Sequence, residues 1–299
     1  MKKSHPPLSF IFIIFCWFYI NGYALNLPSN EVSEPPAEGN FALSSSQQPG
    51  PFFSFGQNIV GKNQLQLFII PNYQKSTGKV DQSQLTSSLL YGISDSASLL
   101  ISVPFALNYH SDLKHSNGLA DSGLQFEYDF YDLSTAHYTA AATIVTALTL
   151  PTGSYAKSPT TGNGSFSSFL GTTYNQTYVD WLWFVSPAVI INANHNNIHM
   201  GTQYLYQMGS GRALASVKDK YILFALLELD GLYAQRNKIL GAFDPNSGGN
   251  TLLITPSLSF STPKIIAQLG ISLPISQSLN GVQTLNQYAL LASFAWTFQ

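Results

Sequence analysis

The sequence predicts an all-β protein, a transmembrane up-and-down antiparallel β-barrel of about twelve strands. Apolar residues recur at every second position over many short stretches, the spacing of a strand with one apolar face. Only 9% of the 299 residues are charged, whereas a soluble domain has about 25%. The mean hydropathy is nearly neutral, and no stretch reaches the roughly 20 apolar residues that a membrane-spanning helix needs. Strands with one apolar and one polar face are typical of a barrel that has lipid outside and a polar lumen.

The N-terminus predicts export. Lys2 and Lys3 precede an apolar run over residues 8–20, and small residues at Gly22 and Ala24 follow. We interpret residues 1–24 as a signal peptide cleaved after Ala24. The single cysteine, Cys16, lies within it, so the mature chain has no disulfide. An exported barrel belongs in the outer membrane of a Gram-negative bacterium, with membrane lipid and, during biogenesis, the barrel-assembly machinery as partners.

Residues 25–62 differ in composition from the rest of the chain. They are rich in Pro, Ser, Glu and Gln and have no apolar period, which is typical of a segment that forms no core of its own. We therefore interpret residues 25–62 as a flexible periplasmic segment. The alternative is that the stretch FFSF at 52–55 folds back and partly plugs a lumen.

The barrel is expected over residues 63–299, where the alternating pattern repeats twelve times. An even strand number is what a closed single-chain barrel requires. The predicted strands lie at 65–69, 85–93, 98–110, 124–130, 138–150, 168–174, 181–191, 200–208, 221–233, 252–260, 265–275 and 288–298.

The connections between these strands alternate in length. Long polar segments, expected outside the cell, lie at 74–82, 111–120, 152–164, 236–249 and 277–285, and short periplasmic turns at 94–96, 132–134, 176–177 and 261–263. The exception is 209–219, which is long for a periplasmic turn.

The charged residues indicate which face is the lumen. Glu127 and Asp129 lie on the same face, or file, of the fourth strand, and Glu228 and Asp230 lie on the same file of the ninth. The opposite files are apolar, and twelve strands enclose too wide a lumen for an apolar core to fill. The apolar file therefore faces lipid, and the four carboxylates, together with Gln125, are expected to line the pore.

Two interpretations of these carboxylates stay open. In the first, they only keep the lumen hydrated and pair with nearby Lys or Arg. Alternatively, they form a constriction that prefers cations or neutral solutes, because a charge in a pore wall disfavours ions of the same sign.

Four prolines fall inside predicted strands, where each removes a hydrogen bond of the ladder. They are Pro104, Pro187, Pro256 and Pro274. Proline is confined to edges, strand ends and bulges, so we expect bulges or strand ends at these positions.

An ordered series of stretches resembles the outer-membrane channel family named for the meta-pathway of phenol degradation. The stretches are YGISDSASLLISVPF (91–105), GLADSGLQFEYDF (118–130), LTLPTGSYA (148–156), LLELDGLYA (226–234), NTLLITPSLSF (250–260) and LGISLPI (269–275). The resemblance implies a twelve-stranded outer-membrane barrel that admits small hydrophobic or aromatic molecules.

No catalytic, metal or cofactor site is expected. His110 and His137 have no recognisable partner residues, a Gly-x-Ser-x-Gly elbow is missing, and His195 and His199 lie in an Asn-rich loop. Removing Lys2 and Lys3 leaves 11 basic against 15 acidic residues, a net charge near −4, which does not attract nucleic acid.

The predicted function is passive uptake or efflux of small solutes through a channel. A structural or surface-interaction barrel without transport is the alternative, and an outer-membrane hydrolase is a third.

Overall fold

The structure, a computed structural model, describes residues 34–298. The predicted signal peptide at 1–24 and the first part of the following segment lie outside this range. The twelve long strands are β1 (Leu65–Ser76), β2 (Val80–Ser94), β3 (Ala97–Ser111), β4 (Ser122–Ser134), β5 (Tyr138–Leu150), β6 (Ser167–Tyr178), β7 (Trp181–Asn192), β8 (Gln203–Val217), β9 (Tyr221–Ala234), β10 (Gly249–Ser261), β11 (Ile265–Leu279) and β12 (Asn286–Phe298). In the described part of the chain, no helix is long and apolar enough to span a membrane.

The strands form a closed antiparallel barrel, as predicted. Each pairs with its neighbours in sequence, and the sheet closes where β1 pairs with β12, with Leu65 opposite Phe298. The two faces follow the predicted parity: on β4, Tyr128 is 43% exposed and Glu127 is 1% exposed. Closure leaves no open sheet edge, which is the condition for β-structure in lipid.

The two rims of the barrel differ in the length of their connections. The rim where β1 begins and β12 ends carries short turns, which identifies it as the periplasmic rim. The opposite rim carries a short strand at Lys114–Leu119 that pairs with β3. It also carries a three-stranded sheet formed by Ile198–His199, Lys238–Ile239 and Ala242–Phe243.

Two predicted connections are wrong. Residues 74–82 are mostly strand, since β1 runs to Ser76 and β2 starts at Val80. Residues 209–217 continue β8, whose pairing with β9 shifts between Ala213 and Ala215. Alternation is hard to see there because small glycines occupy the lumenal file. A Cβ on Gly211 would lie 2.4 Å from the ring of Phe224, so the glycine makes room for the ring.

Three of the four prolines coincide with irregular pairing, as expected. The β10–β11 ladder skips Pro256 and shifts beside Pro274, and the β6–β7 ladder skips Pro187. Pro104 marks the point where β3 stops pairing with β4 and begins to pair with the external hairpin strand.

Residues 34–62 differ from the free periplasmic segment that their composition suggested. Residues 39–62 contact the periplasmic turns and the lumenal wall of the barrel, and they include two short 3-10 turns, Gly39–Phe41 and Ser45–Gln47. Asn40 and Gln47 are fully buried. The composition predicts that this segment has no core of its own, and the lumenal side chains of the barrel supply partners for its backbone.

Candidate functional site: the lumen and the segment inside it

The carboxylate of Glu228 holds the middle of the N-terminal segment. Its Oε1 accepts a hydrogen bond from the backbone N–H of Phe52 at 2.7 Å. Its Oε2 accepts one from Phe53 at 3.1 Å and one from Ser54 at 3.3 Å. Glu228 is completely buried, so three consecutive amides take the place of water around a buried charge.

The segment reverses direction immediately after this contact. Gly56 and Gln57 both have positive φ, +84° and +63°, which is the left-handed region that favours glycine at a sharp turn. A Cβ on Gly56 would also lie 2.5 Å from Thr173 Oγ1. The turn requires glycine for both reasons.

After the turn, the segment runs along β3 and β4. Asn58 donates its backbone N–H to Glu127 Oε2 at 3.2 Å, and Val60 donates to Ser98 Oγ at 3.2 Å. Lys62 N–H then reaches Asp95 Oδ1 at the periplasmic rim, at 2.9 Å. Glu127 and Glu228 thus hold the two arms of the reversal.

Aromatic rings of the segment occupy positions where the wall carries glycine. Phe55 packs edge to face on Phe169, with ring centroids 4.8 Å apart, and a Cβ on Gly171 would lie 2.4 Å from the Phe55 ring. Phe52 lies in the same way over Gly270, where an added Cβ would be 3.0 Å from the Phe52 ring. The wall is therefore shaped to receive these two rings.

The beginning of the segment is fixed near the periplasmic rim. Gln66 on β1 donates through Nε2 to Ser46 O and to Thr297 Oγ1 on β12, both at 2.8 Å. Gln47 Nε2 also donates to Thr297 Oγ1. A buried apolar cluster adds to this, comprising Ala42, Leu43, Leu182, Phe184, Ile222, Phe224 and Leu226.

Asp230 and Asp129 do not hold the segment. Asp230 accepts hydrogen bonds from Thr255 Oγ1 at 3.2 Å and Gln207 Nε2 at 3.3 Å. Asp129 lies toward the periplasmic side and lines a cavity of about 310 Å³ with Asp95 and Asp132. The two residues of each sequence pair therefore have different surroundings.

No Lys or Arg pairs with any of these carboxylates in residues 34–298. The ion pair in that range joins His110 Nδ1 and Asp81 Oδ1 at 2.9 Å, at the outer ends of β3 and β2. Of the two open interpretations, the one with Lys or Arg partners is contradicted in this range. Backbone amides and neutral side chains take their place at Glu127, Glu228 and Asp230.

A cavity of about 370 Å³ lies between the segment and the wall. Its lining contains no charged residue and combines apolar side chains such as Phe68 and Leu100 with polar ones such as Ser88, Ser102 and Gln125. A volume within roughly 300–1,000 Å³ is typical of a small-ligand pocket. Gln125 therefore faces the lumen beside this cavity.

The histidines noted in the sequence form no metal cluster in the described residues. His195 Nε2 lies 2.8 Å from the Nδ2 atom of Asn196, and His199 contacts Asn194.

The period of two predicts lumenal positions for the carboxylates but does not predict what they bind. Their partners are backbone N–H groups, which every residue except proline carries, so no residue pattern marks them. The one signal was the FFSF stretch at 52–55, whose aromatic residues stand out in an otherwise polar segment.

A solved outer-membrane channel shares the fold. The chain is similar to the crystal structure of an outer membrane channel from Pseudomonas putida F1, with a TM-score of 0.68 and 15% identity over 84% of this chain and 100% of that chain. The NanC porin matches with a TM-score of 0.48 and 10% identity, over 77% of this chain and 98% of that chain. No family model matches the sequence, and no curated protein matches it. The fold is that of an outer-membrane β-barrel of Gram-negative bacteria.

Proposed function

We propose that this barrel is an outer-membrane channel for passive movement of small uncharged solutes, including hydrophobic and aromatic ones. The observation that carries the proposal is the cavity of about 370 Å³ between segment and wall, whose lining mixes apolar and polar side chains without a charge. A lining that combines apolar side chains with hydrogen-bonding ones and carries no charge suits a neutral molecule that has both an apolar and a polar part. The resemblance to the channel family of the phenol meta-pathway points to the same class of solute.

The carboxylates then have a role other than selecting ions. Glu228 and Glu127 accept hydrogen bonds from the segment, so they stabilise the state in which the segment occupies the lumen. Their charges become available to permeating ions only when the segment withdraws. A cation preference is therefore expected of the open channel.

Uptake by intact cells tests the proposed solute class. We compare entry of labelled benzyl alcohol and benzoate, which share a ring and differ in charge, with and without the protein in the outer membrane. The protein should accelerate entry of the alcohol more than that of benzoate. Equal acceleration of both solutes, or none, would contradict the proposal.

A matched pair of variants tests the cavity itself. Ser102→Phe adds a ring to the cavity lining, and Val103→Phe adds a ring to the next residue, which faces lipid and is 43% exposed. Ser102→Phe should remove the accelerated uptake and Val103→Phe should keep it. If neither wild type nor variants carry current in planar bilayers or solute in cells, a barrel that serves structure or surface contact is favoured instead.

A further inference from the structure

The outer wall of the barrel carries a groove that the channel function does not use. The groove has a volume of about 630 Å³ and crosses β7 to β11 on the lipid-facing side. Its floor is made by small residues, chiefly Ser210 and Ala225, and its sides by larger apolar ones: Trp181, Leu227, Leu258, Leu269 and Ile271. The sides are well exposed, with Leu258 at 55% and Leu269 at 63%.

The groove exists because the wall is irregular there. The β10–β11 ladder is interrupted between two pairs. These are Ile254 opposite Leu273 and Ser257 opposite Gly270. Pro256 lies in this interruption and lines the groove. Small side chains at the floor and a missing stretch of ladder beside it leave a depression in an otherwise smooth apolar surface.

Arg212 stands at one end of the groove. It follows Tyr206, Met208 and Ser210 on the lipid-facing file of β8 and is exposed. Its guanidinium Cζ lies 5.3 Å from the ring centroid of Trp181, a cation–π contact. Within residues 34–298, Arg212 has no carboxylate partner. An unpaired cation on a lipid-facing file is costly unless it lies at the level of the headgroups.

The level of Arg212 in the membrane follows from its neighbours. Arg212 lies directly opposite Trp181, the first residue of β7 after a periplasmic turn. Trp marks the membrane–water interface in outer-membrane barrels. Arg212 therefore lies at the periplasmic interface, and the apolar part of the groove extends from it across β9, β10 and β11.

We propose that this groove binds a phospholipid of the inner leaflet of the outer membrane. The phosphate contacts the guanidinium of Arg212, and an acyl chain lies along Ala225 between Leu227, Leu258 and Leu269. Charge complementarity selects this occupant, because the groove offers one cation at the headgroup level and an apolar path leading away from it.

The test measures lipid retained by the folded, full-length barrel. The protein is reconstituted with phosphatidylethanolamine and phosphatidylglycerol, extracted into mild detergent and analysed by native mass spectrometry. The wild type should retain one phospholipid, with phosphatidylglycerol favoured about fivefold, the contribution of a single basic residue near the membrane surface. A detergent-extracted barrel that retains no phospholipid would overturn the proposal.

Three variants separate the headgroup from the chain. Arg212→Gln should lose the preference for phosphatidylglycerol. Ala225→Leu fills the floor and should lose both lipids. Lys264→Gln removes an exposed lysine of the periplasmic turn after β10 and should behave as wild type. Heat-dependent migration on a gel verifies that each variant has folded.

Two other outcomes would also overturn the proposal. In the first, Arg212→Gln and Ala225→Leu retain lipid as the wild type does. In the second, the wild type is a dimer in detergent and Ala225→Leu makes it monomeric, which would assign the groove to a second copy of the chain.

Discussion

Replacing Glu228 by Gln should release the N-terminal segment from the lumen. The substitution keeps shape and turns one acceptor oxygen into an NH₂ donor. If the remaining oxygen stays with the N–H of Phe52, the amides of Phe53 and Ser54 lose their acceptor. Each unsatisfied buried donor costs about 1–3 kcal/mol, so the gross loss is about 2–6 kcal/mol. Part of this is offset because a buried carboxylate no longer has to be desolvated.

We expect a net destabilisation of the docked segment by about 2 kcal/mol, toward the low end of that range. This corresponds to roughly a thirtyfold rise in the population of the withdrawn segment. Chymotrypsin reports that population, because Phe52, Phe53 and Phe55 are cleavable only when they leave the lumen, and cleavage follows the open population when opening is fast. The measurement is the rate of cleavage in the folded barrel.

Asp230→Asn is the matched control. It removes the same charge two residues away on the same file, but its oxygens accept no hydrogen bond from the segment. They bind Thr255 and Gln207, and the hydrogen bond from Gln207 to Phe53 O is kept in this variant. Its cleavage rate should stay near that of wild type. The reasoning fails if Glu228→Gln is cleaved as slowly as wild type, or if Asp230→Asn accelerates cleavage equally.

Three other predictions concern the wall and the fold. Val103→Arg places a charge on the lipid face of the middle of β3, opposite Ser87 in the middle of β2, and should lower the free energy of unfolding by about 2–4 kcal/mol, measured by urea titration in vesicles. Gln125→Arg on the lumenal face should cost much less, and equal costs would show that the faces are misassigned. Gly92→Ala should expose the segment to chymotrypsin, because the new Cβ would lie 2.1 Å from Gly61 O of the segment. In the control Gly123→Ala, the new Cβ meets nothing closer than 3.9 Å, so cleavage should stay near that of wild type. Equal cleavage of the two variants would contradict the close approach of Gly92 to the segment. Unheated protein should migrate anomalously on a denaturing gel and shift on boiling, and a helical circular dichroism spectrum in detergent would be incompatible with the fold.

The barrel was predictable because lipid constrains each strand separately. Lipid requires a large apolar or aromatic side chain at positions such as Tyr128 and Leu124, whichever residues lie next to them in the barrel. The lipid-facing file is therefore visible in each short stretch of sequence. Where the lumenal file carries glycine, as at Gly209 and Gly211, the alternation weakens and the end of β8 was assigned to a turn. Contacts that depend on distant parts of the chain leave no such local trace.

The lumenal site was predictable only in part, for the same physical reason. The period of two placed Glu127 and Glu228 in the lumen. Their partners come from backbone amides of residues 52–58, and a hydrogen bond to a backbone amide selects a position in space more than a residue type. Composition described residues 34–62 as unable to fold alone, which is compatible with docking inside a barrel that has already formed.

The contact between Gln47 and Thr297 has a consequence for how the chain folds. These residues are 250 positions apart, and Thr297 belongs to the last strand, which pairs with β1 only when the barrel closes. The binding site for the beginning of the segment is therefore completed by the end of the chain. Loops of this length make such contacts slow and late. Protection of residues 46–54 against hydrogen exchange should therefore appear after that of the strands. This segment precedes every strand in the sequence but would be the last to reach its native environment.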